Sequence, residues 1–177
     1  MEGRQKTKNP NADHETFRIR PMRAEDREEV LAMMRVFYDS PAVLSEVQDE
    51  VLVRDVEACL AGSPYVEGLI LEVPCAEAAG GLDRAGYAML AKSFSTEFGG
   101  PCIWIEDLYL KPEYRGLGAG SALLTFVKEN YDAVITRLEV EVENEPAVAA
   151  YRKAGYGVLG YAEMYHLAGD APAKDRG

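Results

Sequence analysis

The sequence contains few of the residues that bind metals or form disulfide bonds. It has three cysteines and two histidines in 177 residues. Cys59, Cys75 and Cys102 lie far apart, show no metal-ligand spacing and cannot all pair, which is typical of a reduced cytoplasmic protein. We interpret Cys59 and Cys102 as small core residues, and a nucleophilic cysteine is the less favoured alternative. Since His14 and His166 have no partner at ligand spacing either, we expect no metal site and a cytoplasmic location.

Long apolar runs and a positive net charge are also missing. No run approaches the ~20 residues that a membrane span needs, and the polar N-terminus lacks the apolar segment of a secretory signal. The formal net charge is −11, which disfavours binding to nucleic acid or to anionic membranes. The acidic excess mildly favours a cationic substrate, although ordinary solubility explains it equally well.

The length and the hydrophobic pattern predict one α/β domain with a sizeable core. We expect a flexible arm over residues 1–16, a single domain over 17–168 and a polar tail over 169–177. The predicted elements are a strand (17–20), helices (24–38 and 46–60), three strands (66–73, 85–91 and 102–110) with a loop over 92–101, a helix to about 131, a strand (137–142), a helix (146–154) and one or two final strands (156–167). This order, β-α-α-β-β-β-α-β-α-β(β), predicts a mixed sheet flanked by helices.

A glycine-rich loop follows the most strongly predicted strand and precedes a helix. It begins at Arg115 and has the sequence RGLGAG. Small residues let a phosphate approach the backbone, and the first helical turn supplies N–H groups and the positive end of the helix dipole. The spacing excludes two other phosphate motifs, because G-x-G-x-x-G is absent and no Gly-Lys-Ser/Thr follows. The loop alone therefore predicts an anion site.

Two segments resemble sequence blocks of the GNAT superfamily of N-acetyltransferases. Residues 115–120 match its Q/R-x-x-G-x-G/A signature, and residues 106–114 resemble the strand and turn that precede it. Residues 144–156 resemble a second block, in which Asn144 is followed seven residues later by Tyr151. The predicted element order also resembles the family's fold over most of the domain. The resemblance implies an acyl-CoA N-acyltransferase fold with a mixed, mostly antiparallel central sheet.

The resemblance also implies a site for acetyl-CoA as the acetyl donor. The loop backbone would hold the pyrophosphate, and the Arg115 side chain would add a positive charge. The backbone of Leu108 and Leu110 would pair with the pantetheine arm, and the Leu108 N–H would polarise the thioester carbonyl. Asn144 would contact that arm, and Tyr151 would be the general acid for the leaving thiolate. The implied cofactor-binding residues are Leu108, Tyr109, Leu110, Arg115, Gly116, Leu117, Gly118, Ala119, Gly120, Ser121, Asn144 and Tyr151.

The Glu106-Asp107 pair carries the predicted acid–base chemistry. An alkylammonium group has a pKa of about 10, so a base must produce the neutral amine. Glu106 is the predicted base, because it lies among apolar residues on a central strand where burial would raise its pKa. Its structural alternative is a salt-bridged or edge carboxylate. Alternation places Asp107 on the opposite face unless a β-bulge intervenes. Asp107, Tyr38 and Phe94 are further candidates for substrate binding.

These patterns predict an acetyl-CoA-dependent N-acetyltransferase that acts by direct transfer to a primary amine in a ternary complex. The run from Glu106 to Tyr109 resembles spermidine/spermine and thialysine acetyltransferases, which favours a polyamine or another small cationic amine as acceptor. A protein N-terminus, a lysine or an aminoglycoside are alternative acceptors. A non-catalytic acyl-CoA-binding module of the same fold is the alternative function. The resemblance implies a homodimer, and we expect no nucleic-acid or membrane partner.

Overall fold

One mixed β-sheet organises the part of the chain that the structure describes. The computed structural model describes residues 13–14, 17–44, 46–76, 78, 80–162, 164–166 and 168. Residues 1–12 and 15–16 of the predicted arm and all of the predicted tail (169–177) lie outside the described residues. The strands are β1 (Asp13–His14), β2 (Phe17–Pro21), β3 (Val66–Pro74), β4 (Leu82–Ser95), β5 (Gly100–Leu110) and β6 (Ile135–Leu138). The α-helices are α1 (Arg27–Tyr38), α2 (Asp49–Leu60), α3 (Ala119–Asn130) and α4 (Glu145–Lys153).

The strands follow one another across the sheet in chain order. Each of the first four strands pairs antiparallel with the next, whereas β6 runs parallel to β5. The parallel step is possible because the long connection between β5 and β6 contains α3. The predicted mixed, mostly antiparallel sheet is therefore confirmed.

Helices cover both faces of the sheet. Leu69 and Ile70 are neighbours on β3 but belong to different hydrophobic clusters, as the alternation of a strand requires. The α1/α2-side cluster contains Val30, Leu31, Met33, Met34, Leu52, Val56, Ile70, Tyr87, Met89 and Tyr109. The α3-side cluster includes Ile19, Leu69, Leu71, Leu90, Ile103, Ile105, Leu123, Phe126 and Val127. The apolar stripe predicted for the first helix is confirmed by the burial of Val30, Leu31 and Met34.

Three predicted boundaries are wrong. The second helix begins at Asp49 instead of residue 46. Strand β4 continues to Ser95, where it pairs with Gly100, so the predicted loop over 92–101 is only a short turn. The strand predicted over 137–142 lies at Ile135–Leu138, and Val142 is 81% exposed. The alternation of apolar and charged residues over 137–142 gave the wrong bounds, because it is a local pattern, whereas a strand also needs a neighbouring strand to pair with.

The final strand predicted over 156–167 is not found in its described residues. Residues 156–162 and 164–166 belong to no strand. Tyr156 packs against the α3-side cluster, but Val158 and Tyr161 are 86% and 72% exposed, so these two residues do not face the core as a buried strand would require. No described helix is long and apolar enough to cross a membrane.

A buried ion-pair network ties β2 to β3 and to the start of α1. The guanidinium group of Arg20 donates hydrogen bonds of 2.6 and 2.9 Å to Asp26 and of 2.8 Å to Glu72. Arg84 donates a further hydrogen bond of 2.6 Å to Asp26, whose side chain is fully buried. Burial alone would raise the pKa of Asp26, but the hydrogen bonds from Arg20, Arg84 and the Arg23 N–H lower it to about 2.

Candidate active site

A β-bulge at Glu106 interrupts the alternation of β5. On the neighbouring strand, Met89 lies opposite Asp107 and Leu90 lies opposite Ile105. Glu106 is therefore the extra residue, with no counterpart on β4. The β-bulge that would alter the predicted alternation of Glu106 and Asp107 is therefore present in the structure.

The bulge changes which face of the sheet each side chain meets. Before it, Ile105 packs in the α3-side cluster, and after it Leu108 packs against the same cluster. Asp107 and Tyr109 therefore share the opposite face, where Tyr109 stacks with Tyr87 in the α1/α2-side cluster. The predicted role of Tyr109 in cofactor binding can involve its backbone only, because its side chain is 6% exposed and faces away from α3.

Asp107 is a buried carboxylate held by two tyrosine hydroxyl groups. Its side chain accepts hydrogen bonds from the hydroxyl groups of Tyr38 (3.0 Å) and Tyr87 (3.1 Å), and the residue is 3% exposed. Burial raises the pKa of Asp107 to about 6, although the two hydrogen bonds oppose the shift. Burial and the charge of Asp107 raise the pKa of both tyrosines. With a pKa of about 6, the Asp107 carboxyl loses its proton just below neutral pH.

Two further acidic groups act on Asp107 through their charges. The charges of Asp55, on α2, and of Glu106 raise the pKa of Asp107, and burial raises the pKa of Asp55 itself. Burial, followed by the charge of Asp55, raises the pKa of the Cys59 thiol to about 11. A thiol with such a pKa is protonated at neutral pH, which argues against a nucleophilic cysteine here. The α1/α2 side of β5 therefore carries several acidic groups that act on one another.

The physical premise of the Glu106 assignment is wrong. We expected burial to raise the pKa of this carboxyl, but Glu106 is exposed at the bulge. The buried carboxylate on β5 is its neighbour Asp107, which sequence alternation could not distinguish without locating the bulge. Glu106 remains adjacent to the acidic side of the sheet, where it can attract a cation.

The glycine-rich loop lies at the N-terminus of α3, as predicted. Gly116 and Gly118 have φ angles of +74° and +94°, a conformation that favours glycine. Gly118 is the N-cap residue, and no side chain caps the first turn of α3. The Arg115 side chain donates from Nε to the Leu110 carbonyl (2.9 Å) and lies over the Tyr109 ring. The first turn of a helix has N–H groups without intrahelical partners and lies at the positive end of the helix dipole, so the position of this loop suits an anion; the anion site itself stays a prediction.

Beside the loop, β5 is longer than its parallel neighbour. The last residue of β6, Leu138, lies opposite Ile105, whereas β5 continues to Leu110. Among the described residues, no strand pairs with this last part of β5 on the side of β6. The open edge begins at the bulge and ends at the loop, so an extended ligand can lie along it.

Helix α4 places Tyr151 on the α3 side of the sheet. Tyr151 packs against the α3-side cluster, as Leu108 and Leu138 do, and its ring lies 6.0 Å from that of Tyr156. Burial raises the pKa of Tyr151, so the phenol is protonated at neutral pH. Asn144 is the N-cap of this helix, and its side-chain oxygen accepts a hydrogen bond of 3.3 Å from the Ala147 N–H.

Phe94 does not join the other candidates. It lies in β4 instead of a loop, is 66% exposed, and pairs with Pro101. Pro101 is six positions from Asp107 on β5, which corresponds to about 20 Å along the strand. Phe94 is therefore too distant to share a small-molecule site with Asp107.

Two residues of the site were not predicted. Tyr87 donates a hydrogen bond to Asp107. The sequence signal for Tyr87 is a hydroxyl group in an otherwise apolar strand, because a buried hydroxyl group needs a hydrogen-bond partner. Asp55 acts from α2 through its charge, and an acid on a helix shows no such signal. Among the described residues, no group of three or more side chains could hold a metal ion; the expectation of no metal stays a prediction.

Comparison with known proteins agrees with this geometry. Residues 74–156 match the sequence model of the acetyltransferase (GNAT) family. Thialysine N-epsilon-acetyltransferase of Sus scrofa is 30% identical over 154 residues, which cover 84% of this chain and 88% of the relative. An N-alpha-acetyltransferase of Sulfurisphaera tokodaii is 39% identical over 70 residues, which cover 37% of this chain and 42% of that protein.

Solved structures share the fold at lower sequence identity. A possible acetyltransferase from Clostridium difficile 630 superimposes with a TM-score of 0.69 at 22% identity, covering 86% of this chain and 98% of that one. An aminoglycoside N-acetyltransferase in complex with CoA gives a TM-score of 0.66 at 15% identity, covering 90% of this chain and 99% of the other.

The fold, the glycine-rich loop and the open strand edge agree with an acyltransferase, the class that the family match and the relatives show. The chain belongs to the GNAT acetyltransferase family. Its activity is acetyl-CoA-dependent N-acetylation.

Proposed function

We propose that this enzyme acetylates a small cationic primary amine and that Asp107 removes the proton from that amine. The observation that carries the proposal is the buried carboxylate of Asp107, whose pKa is raised to about 6 by burial. Such a group is ionised at neutral pH, yet is basic enough to accept a proton. The exposed Glu106 would attract the ammonium group toward Asp107.

The donor would bind along the α3 side of β5. The aminoglycoside N-acetyltransferase of similar fold was solved with CoA, which supports the same cofactor here. Backbone N–H groups of residues 115–121 would bind the pyrophosphate, and the open edge of β5 would pair with the pantetheine arm. Because Arg115 already donates to the Leu110 carbonyl, its charge would act on the phosphates from that position. Asn144 would contact the arm from the start of α4.

The reaction would take place across the sheet at residues 107 and 108. Asp107 takes a proton from the ammonium group, and the neutral nitrogen attacks the thioester carbonyl carbon. The Leu108 N–H stabilises the resulting oxyanion. When the C–S bond breaks, the thiolate takes a proton, for which Tyr151 is the proposed donor because burial keeps its phenol protonated. The acetylated nitrogen loses its second proton in the same step, and this proton restores the Tyr151 phenol. The products are the acetylated amine and CoA.

The acceptor is best matched by a small molecule that carries more than one positive charge. Asp55, Glu106 and Asp107 all act on the α1/α2 side of β5. The similar protein of Sus scrofa is named for thialysine, and the structural neighbour is named for aminoglycosides. Both names describe amines, but the higher sequence identity to the thialysine enzyme (30% against 15%) and the acidic residues on this side of β5 favour a diamine-like acceptor.

The test is a CoA-release assay with a panel of amines. The panel contains thialysine, spermidine, an aminoglycoside and a peptide with a free N-terminus, each with acetyl-CoA as donor. We expect the highest kcat/KM for thialysine or spermidine. Release with the peptide alone would show that the acceptor is a protein. Binding of CoA by calorimetry without release for any amine would favour the non-catalytic module.

We further propose that the enzyme is a cytoplasmic homodimer without a nucleic-acid or membrane partner and without a metal. The net charge of −11 supports the absence of anionic partners. Analytical ultracentrifugation measures the oligomeric state. Activity that survives dialysis against EDTA would support the absence of a metal.

A further inference from the structure

The segment that leads into the glycine-rich loop is anchored by two carboxylates. The Lys111 ammonium group contacts Glu29 at 2.8 Å and Asp83 at 3.2 Å. The Tyr114 hydroxyl donates a hydrogen bond of 2.7 Å to the other oxygen of Asp83. Lys111 follows β5 directly, and Tyr114 immediately precedes Arg115. Both ends of the turn before the loop are therefore tied to Asp83.

The two carboxylates belong to rigid parts of the fold. Glu29 lies in the first turn of α1, and Asp83 lies at the start of β4. Glu29 also accepts a hydrogen bond of 3.0 Å from Arg84, which in turn binds the fully buried Asp26. The anchoring contacts are thus continuous with the buried ion-pair network beneath β2.

The loop itself has little to hold it in place. Gly116, Leu117 and Gly118 are exposed, and at both glycines an added Cβ would meet nothing within 4 Å. Backbone N–H groups bind a phosphate well only if their directions are set before the ligand arrives, because ordering a loop on binding costs conformational entropy. Apart from the hydrogen bond of Arg115 to the Leu110 carbonyl, the side-chain contacts that can set those directions lie in the turn before the loop.

We propose that Asp83 and Glu29 are positioning residues that hold the glycine-rich loop in its pyrophosphate-binding geometry through Tyr114 and Lys111. The inference rests on the proposed binding of acetyl-CoA at this loop. Lys111 is committed to two carboxylates, so it acts as a structural cation and not as a ligand of the phosphates. Loss of the anchor weakens binding of the pyrophosphate and leaves the chemistry at Asp107 intact.

The test compares acetyl-CoA with S-acetylpantetheine, which retains the thioester arm but lacks the pyrophosphate and the 3′-phosphoadenosine joined to it. In Asp83→Asn, we expect the KM for acetyl-CoA to rise about 5- to 30-fold, with kcat within twofold and kcat/KM for S-acetylpantetheine unchanged. Glu29→Gln should give a smaller change of the same kind. Tyr114→Phe removes only a hydroxyl group and serves as the second variant if Asp83→Asn folds poorly.

Asp49→Asn is the matched control, because it also removes a carboxylate from an ion pair, in this case the exposed pair between Asp49 of α2 and Arg35 of α1. It should leave both donors unchanged. An equal loss for both donors in Asp83→Asn and Tyr114→Phe would overturn the inference, as would unchanged kinetics for both donors. A wild-type enzyme that binds acetyl-CoA no better than S-acetylpantetheine would overturn the proposed pyrophosphate site, and the anchoring role with it.

Discussion

At the scale of single residues, the protonation of Asp107 depends on three neighbouring effects. Burial and the nearby acids raise its pKa, while the hydroxyl groups of Tyr38 and Tyr87 lower it. The balance gives a pKa of about 6, between that of an exposed carboxyl and that of an amine. Changing any one of these effects should therefore shift the pH at which the enzyme works.

Replacing Asp107 tests which carboxylate is the base. Asp107→Asn keeps the size of the side chain but cannot accept the proton, so kcat should fall by about 100-fold or more. Glu106→Gln should raise the KM for the amine a few-fold and leave kcat within about threefold. Steady-state kinetics at saturating acetyl-CoA separates the two, and the reverse pattern would assign the base to Glu106.

Replacing Tyr38 tests the balance of effects on Asp107. Tyr38→Phe removes a hydrogen bond that lowers the pKa of Asp107, so that pKa should rise above about 6. Since Asp107 must be ionised to act, activity is lost as the pH falls through its pKa, and the acidic limb of kcat/KM should move to higher pH. Tyr65→Phe, on a 75% exposed tyrosine, is the control and should leave the profile in place.

Replacing Tyr151 tests the proposed general acid. Without the phenol, the thiolate must take its proton from water, so Tyr151→Phe should lower kcat by about 100-fold. The Kd for CoA, measured by calorimetry, should change little because the ring still packs against the α3-side cluster. Tyr161→Phe is a surface control. A wild-type kcat in Tyr151→Phe would remove this residue from the mechanism.

At the scale of the elements, the sequence predicted what depends on local chemistry. The glycine-rich loop, the helix after it and the buried stripe of α1 follow from backbone freedom and helical periodicity. Which face of the sheet the side chains of β5 meet after Glu106 could not be predicted in this way, because a bulge is defined by the pairing of β5 with β4. The extension of β4 to Ser95 and the missing final strand also depend on neighbours in space. This is why Glu106 seemed buried in the sequence and Asp107 is buried in the structure.

Replacing Gly118 tests the loop as an element. An alanine at a φ of +94° is strained, so Gly118→Ala should lower the free energy of unfolding by about 1–2 kcal/mol and raise the KM for acetyl-CoA. Gly62→Ala is matched, because Gly62 also has a positive φ and open surroundings but lies in the turn after α2. It should lose similar stability and keep its KM. Equal KM values in the two variants would contradict a role of the loop in binding.

At the scale of the whole molecule, the buried network of Arg20, Asp26 and Glu72 joins elements that are distant in sequence. The Arg20 side chain is only 4% exposed and contacts both carboxylates. An isolated buried charge is costly, so each member requires the others. Removing one member at neutral pH, where Asp26 is ionised, would therefore leave an uncompensated buried charge.

Replacing Asp26 tests this expectation. Asp26→Asn leaves buried cations underpaired and should lower the free energy of unfolding by about 3–5 kcal/mol at pH 7. Because the pKa of Asp26 is lowered to about 2, its contribution is complete above the unfolded value of about 3.9 and is lost as the pH falls toward 2. Urea unfolding at pH 7 and pH 3 should therefore show a smaller difference from wild type at pH 3. Asp49→Asn, in an exposed pair, should cost less than about 1 kcal/mol.

The open edge of β5 has a consequence for handling the purified enzyme. Unpaired strand edges can pair with an edge of another chain, which is a common route to aggregation. The pantetheine arm proposed to lie along this edge would cover it during turnover. Concentrated stocks kept without the cofactor would then be the most prone to precipitate, and added CoA would act as a stabiliser of the soluble state.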